Sequence, residues 1–222
     1  MRCLSPSSTP DQLSRASLAA QSLRAGVARL LDNGTQDNLA HRIAGHDWPD
    51  QDALIANLVG LLSQSHEATA GLIGNCIVAL LNQGAMQTRL RAEPQLAGAF
   101  VREVARYDPS VQNTRRFVVE ATSVAGVTLQ PGDCILLLLA SASRDEQVDP
   151  AAAVFALERT RCGLPGLGHG HHACPGQELA FTIATGAVEH LLALPRALSA
   201  QTLAWSYAPS VNARLPRFST LP

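Results

Sequence analysis

The longest apolar run in the sequence, Leu54 to Leu81, decides most of what this chain can become. Gln64, His66 and Glu67 sit at its centre, and a bilayer core penalises such groups. The run therefore reads as a buried helix of a globular protein. Trp48-Pro49-Asp50 opens the element, with Asp50 placed as N-cap, and Asn82-Gln83-Gly84 closes it. At roughly thirty residues this helix spans about 45 Å, the width of a whole domain. It is expected to be the axis of the fold.

Around that axis the periodicity is mostly helical. Residues 1–10 are rich in Ser and Pro and read as loose. From Asp11 to Leu31 the apolar positions Leu18, Leu23, Val27, Leu30 and Leu31 fall at three- and four-residue steps, predicting an amphipathic helix that ends near Asn33-Gly34. A short helical piece, Leu39 to Ala44, follows. Glu93-Pro94 starts a helix over Gln95 to Tyr107, and Asp108-Pro109 stops it. Between Arg115 and Leu139 the pattern turns to β: Phe117-Val118-Val119, a turn at Ala125-Gly126, Val127-Thr128-Leu129, a turn at Pro131-Gly132, then Ile135 to Leu139. Residues 145–170 read mostly as loop, Pro175 to Leu194 as the last helix, and Leu203–Trp205 and Arg214–Phe218 as short strands. The fold class is thus mainly α with a small antiparallel β portion. No internal repeat and no linker between independent domains is found.

Composition narrows the function classes. A chain of 222 residues supports one large domain or two small ones. Its net charge of −1 gives no electrostatic reason to expect nucleic acid or an anionic membrane as a partner. The N-terminal stretch has no uninterrupted apolar segment, so neither a signal peptide nor an anchor is expected. The five cysteines, Cys3, Cys76, Cys134, Cys162 and Cys174, are widely spaced and contain no CxxC pair. That argues for a reducing, cytoplasmic setting rather than a disulfide framework.

The most informative ten residues are Leu167-Gly168-His169-Gly170-His171-His172-Ala173-Cys174-Pro175-Gly176. A cysteine just before a helix sits where unpaired N–H groups and the positive dipole end favour a thiolate, a natural metal ligand. Gly168 and Gly170 allow positive φ, and Pro175 suits the first helical turn. Cys162, His169, His171, His172 and Cys174 have the composition of a zinc site. Their spacing does not suit one, because His171 and His172 are adjacent and face opposite ways. Glu103 and Arg106, at i and i+3 on one helix face, would alone be an ordinary surface pair.

Taken together, these segments resemble the cytochrome P450 family. The loop is similar to its heme-binding signature, with Leu167 in the usual Phe position. Glu103-x-x-Arg106-Tyr-Asp-Pro resembles its ExxR helix. Thr114 through Glu120, Gly126 through Asp133 and Ala142-Ser143-Arg144-Asp145 resemble the strands and turn that follow it, and Leu61 to Ile73 resembles the long oxygen-binding helix. The resemblance implies a truncated P450 fold: residues 1–17 disordered and residues 18–222 a heme-binding domain lacking the N-terminal half. It implies heme b as cofactor, with Cys174 as the axial iron ligand. His172 and Arg116 would be propionate donors, Gly168, Gly170, Gly176 and Leu167 would shape the loop, and Glu103 and Arg106 would brace the proximal side. Glu67 and Thr69 would be the distal catalytic pair.

Departures from the family pattern refine the functional expectation. Gln64-Ser65-His66-Glu67-Ala68 keeps the acid of the distal helix, but Ala68 replaces the neighbouring alcohol, and Thr69 lies about 100° round the helix. Val154 stands where an arginine is expected to complete the ExxR network, leaving Glu103–Arg106 as a pair only. The implied activity is heme-thiolate monooxygenation, inserting oxygen into a small organic substrate with electrons from a ferredoxin or flavoprotein. The alternative is a non-catalytic heme-binding or auxiliary subunit. A charged share of only 16% adds the expectation of a homodimer or a complementary chain covering the heme.

Overall fold

The computed structural model describes residues 8–33, 38–159, 163–195 and 198–220. Two compact units, Met1–His66 and Glu67–Pro222, share one long helix, α3 (Gln51–Asn82). Asp50 is its N-cap, accepting the Ala53 N–H at 2.7 Å. The expected long helix is therefore present with the expected start and stop. No single helix among the described residues is long and apolar enough to cross a membrane; α3 and the next helix pass only as a pair bent by 106°.

In the first unit, α1 runs from Pro10 to Asn33, so residues 10–17 are helical rather than disordered. Thr9-Pro10-Asp11-Gln12 supplies the reason. Thr9 Oγ1 accepts the Gln12 N–H at 3.2 Å while Gln12 Oε1 accepts the Thr9 N–H at 3.0 Å, a reciprocal capping box with proline in the first turn. The apolar stripe expected on α1 is buried only at its C-terminal end. Val27 is inside, whereas Leu18, Leu23 and Leu30 are exposed. Val27 joins Leu54, Ile55 and Leu58 of α3 in a small core that Leu31, Ile43 of α2 (Leu39–Ala44) and Trp48 close. Asn38 caps α2, accepting the His41 N–H at 3.0 Å.

The second unit holds the larger core. Leu72, Cys76 and Leu80 of α3 meet Leu90 of α4 (Gly84–Ala92). Phe100, Val101 and Val104 of α5 (Ala97–Tyr107) and Phe181, Ala184 and Val188 of α7 (Gln177–Ala193) complete it. Each of the Leu, Val and Phe side chains contributes about 1.5–3 kcal/mol when fully withdrawn from water. Helix α4 has no counterpart among the sequence expectations, and a 3₁₀ turn, Pro94–Leu96, precedes α5. Three antiparallel two-stranded pairs complete the unit. They are β1 (Thr114–Phe117) with β4 (Cys134–Leu137), β2 (Thr122–Val124) with β3 (Val127–Leu129), and β5 (Leu203–Tyr207) with β6 (Pro216–Thr220). A single helical turn, α6 (Leu139–Ala142), takes over where the β4 strand was expected to run on. Strand β4 leaves Leu136 and Leu137 exposed, and Phe117 of β1 is 68% exposed.

Candidate functional site

The centre of the second unit is a buried charge cluster on α5. Glu103 and Arg106, with side chains 3% and 2% exposed, form a two-pronged pair: Arg106 Nε and Nη2 each donate to a Glu103 carboxylate oxygen at 2.8 Å. The rest of the guanidinium is spent on backbone. It donates to the carbonyls of Ser143 at 2.7 Å, Ala152 at 2.8 Å and Val154 at 3.1 Å. Glu103 in turn accepts the Ala156 N–H at 2.9 Å. Arg106 therefore fastens α5 to the long loop that follows α6.

The pair is not left as a pair. Arg159 Nε lies 3.4 Å from Glu103 Oε2, an ion pair rather than a well-aligned hydrogen bond, since that N–H has no hydrogen-bond acceptor. Arg159 also pairs with Asp149 and donates to the carbonyls of Ala151 at 2.9 Å and Val154 at 2.7 Å. The expectation built on Val154 is corrected: the third charge arrives five residues later. The loop through Phe155 brings it there, with Phe155 packed between the rings of Phe100 and Tyr107.

The cysteine loop begins in the main core, against which Leu164 and Leu167 pack. It then turns back on itself. The Cys174 N–H donates to the Leu167 carbonyl at 2.7 Å, His172 N–H to His169 O at 3.1 Å and Ala173 N–H to Gly170 O at 3.0 Å. Gly168 has φ +73 and ψ −177, a region reserved almost wholly for glycine. A Cβ there would stand 2.1 Å from the His172 carbonyl oxygen. The loop thus requires its glycine, and Gly170 also has positive φ, at +59. Cys174 ends half-buried and unpaired, and Gly176 stands at the N-cap of α7. Pro175 lies just ahead of the helix rather than inside it. His169, His171 and His172 are exposed.

The thiols differ sharply. Cys76 is fully buried in the main core, and desolvation pushes its pKa far above the ordinary thiol range, which makes it inert packing. Cys134 is exposed on β4; Cys3 and Cys162 lie outside the described residues. Among the described residues no three His, Cys, Asp or Glu side chains gather as a metal site. A donor set of one half-exposed cysteine on a glycine-shaped loop suits a heme iron, which takes a single protein thiolate, better than a zinc ion.

On α3, Glu67, Ala68 and Thr69 are half-buried, whereas Gln64 and Ser65 are exposed. The Ser65 hydroxyl is turned back onto its own helix, donating to Leu61 O at 2.7 Å. Arg116 is exposed on β1 opposite Ile135, its Nη1 donating to Thr114 Oγ1 at 3.2 Å and Arg115 O at 2.8 Å. Sequence reasoning missed Arg159, signalled only by a cation close after Phe155. It also missed Ser110, which donates to Ala68 O at 3.0 Å.

Known proteins resemble this chain in sequence and in fold. The biotin biosynthesis cytochrome P450 of Bacillus subtilis is 32% identical over 176 residues, 78% of this chain and 45% of its own length. The cytochrome P450 monooxygenase PikC of Streptomyces venezuelae is 32% identical over 192 residues, 82% of this chain and 46% of its own. The solved structure of P450BioI in complex with an acyl carrier protein ligated to hexadec-9Z-enoic acid superposes with a TM-score of 0.83 at 26% identity. The match covers 98% of this chain and 57% of that one. The chain spans about half the length of the curated relatives it matches. Its family implies heme iron as cofactor. The family model for cytochrome P450 matches residues 23–193, and the chain belongs to that family.

Proposed function

We propose that this chain is a heme-thiolate protein of the monooxygenase type, with Cys174 as the iron ligand. The observation that carries the reading is the loop itself: a half-buried thiol whose own N–H is tied to Leu167 O, on a turn where Gly168 admits no side chain. Gly170 takes the positive φ that the turn requires, Gly176 stands at the N-cap of α7, and Leu167 anchors the loop to the core. Exposed His172 and Arg116 are the donors for the two propionates, which need cationic or N–H partners; Arg116 would exchange its contacts with Thr114 and the Arg115 carbonyl for one of them. Glu103 and Arg106, with Arg159, hold the chain segment that precedes the loop. When bound, the heme supplies activation of dioxygen or peroxide for insertion into a small organic substrate. Glu67 is the acid that holds and passes a proton on the distal helix, and Thr69 is the neighbouring alcohol. Electrons come from a ferredoxin or flavoprotein, in a cytoplasmic setting that keeps the thiols reduced.

The test is heme reconstitution followed by reduction and carbon monoxide. A strongly red-shifted thiolate-carbonyl band, absent in Cys174→Ala, supports the proposal; no heme uptake by the unaltered chain refutes it. A second reading, a heme-binding subunit without turnover, is favoured by one observation: a methyl stands at Ala68 and the Ser65 hydroxyl is engaged by Leu61 O. Peroxide-supported oxidation by the heme-loaded chain separates the two, because product formation excludes the second.

A further inference from the structure

The turn after α5, Asp108-Pro109-Ser110, touches three parts of the second unit at once. On α3, Ser110 Oγ donates to Ala68 O at 3.0 Å, and the buried Asn75 amide, seven residues on, donates to Asp108 O at 2.8 Å. Between these anchors the helix carries Gly71, whose absent Cβ would lie 2.7 Å from Ser110 Cβ. On the side of the cysteine loop, Gly166 lets the chain approach Pro109 so closely that a Cβ there would be 3.2 Å from Pro109 Cβ. From the C-terminal hairpin, the Arg214 N–H donates to Ser110 O at 2.9 Å. Pro109 is buried and has a fixed φ, so the turn is a stiff spacer.

We propose that Ser110 is a positioning residue that locks the Glu67–Thr69 turn of α3 to the Cys174 loop through this spacer. This rests on the heme-thiolate reading for its functional meaning. Ala68 has no polar side chain with which to fix its own turn. The hydroxyl from Ser110 takes hold of the Ala68 carbonyl instead, from outside the helix. A carbonyl oxygen has two lone pairs, so this bond adds to the helical one. Gly71 makes the approach feasible, since any larger residue would push the turn off α3.

The experiment compares the full chain with Ser110→Ala and Ser110→Thr. Hydrogen–deuterium exchange reads the clamp without heme. In Ser110→Ala the peptide covering residues 67–73 is expected to exchange about fivefold faster, the loss of one ordinary hydrogen bond, while peptides from α7 are unchanged; Ser110→Thr restores protection. In the heme-loaded ferric chain, imidazole is titrated as a distal probe. Ser110→Ala is expected to change its Kd by about the same factor, and Ser110→Thr to return it. Unchanged exchange at 67–73, acceleration throughout the unit, or altered exchange with an unaltered imidazole Kd each overturns the proposal. If the unaltered chain binds no heme, the heme-thiolate reading fails, and the exchange measurement alone decides whether the clamp exists.

Discussion

Replacing Arg106 by methionine tests whether the buried cluster is an ion pair or a structural fastener. Among the described residues, the single substitution leaves Glu103, 3% exposed, with the Ala156 N–H and the longer contact to Arg159. Breaking a buried pair from one side costs about 3–5 kcal/mol, a large part of the roughly 5–15 kcal/mol that holds a domain together. The double replacement Glu103→Leu with Arg106→Met is more telling. For a simple ion pair it would be near neutral or stabilising. Here it deprives the carbonyls of Ser143 and Ala152 of their Arg106 donors and the Ala156 N–H of its acceptor, whereas Val154 O keeps Arg159. At about 1 kcal/mol or more for each stranded buried group, the double variant should remain at least about 3 kcal/mol less stable. Urea unfolding of the four proteins of the cycle, at equal heme loading, gives these differences from the midpoints. A double variant within about 1 kcal/mol of the parent, the range of ordinary surface changes, would refute the fastener and leave a plain pair.

Gly168→Ala forces a side chain into the His172 carbonyl. Strain of about 1–3 kcal/mol is expected to open the Cys174–Leu167 bond, so heme loading falls while the helix content by circular dichroism is kept; full loading would contradict the account of the loop. Asp108 has its pKa raised, chiefly by burial, against the opposing pull of Arg214 and the Tyr207 hydroxyl. Its protonated form is favoured in the folded state. The associated stability is present below the ordinary carboxylate range and is lost as pH rises through the raised folded value. Asp108→Asn should flatten that part of the stability–pH curve, and an unchanged slope would exclude Asp108 as its source. Gln87→Leu removes an amide that donates to Leu80 O and Leu198 O, each at 2.9 Å, and accepts the Leu198 N–H at 3.1 Å. A loss of about 2–3 kcal/mol is expected, together with faster proteolysis near residue 198.

What could be read from the sequence was whatever is coded locally. The N-cap at Asp50, the stop at Asp108-Pro109 and the glycines beside Cys174 each act within a few residues, and each lies where its chemistry indicated. Local signals also misled where they were under-read. The Thr9–Gln12 capping box starts α1 at Pro10, and the α1 stripe looked more buried than it is because periodicity reports a face, not a neighbour. Arg159 illustrates the harder limit. Its contact with Glu103 spans more than fifty residues and depends on how one irregular loop folds around Phe155. Comparison by position pointed to Val154 for the same reason, since loop length shifts while the geometric requirement for a third cation does not.

The same reasoning changes how the distal helix should be read. By position, Ala68 is simply a lost alcohol, and Gln64 and Ser65 are replacements for small residues. In three dimensions the Ser65 hydroxyl is occupied by its own helix, so it adds no free donor, whereas Ser110 brings one to the Ala68 carbonyl from a turn forty-two residues further along the chain. A hydroxyl that bonds a carbonyl positions a turn but does not present a proton to a substrate. Substitution of the alcohol thus separates two tasks that one residue on the helix could share. On the proposed heme-thiolate reading, Ser110 would hold the turn and Glu67 would carry the proton transfer. On that division, removing Ser110 should alter where ligands sit, and Glu67→Gln in the heme-loaded chain should lower peroxide-supported product formation while leaving the imidazole Kd in place.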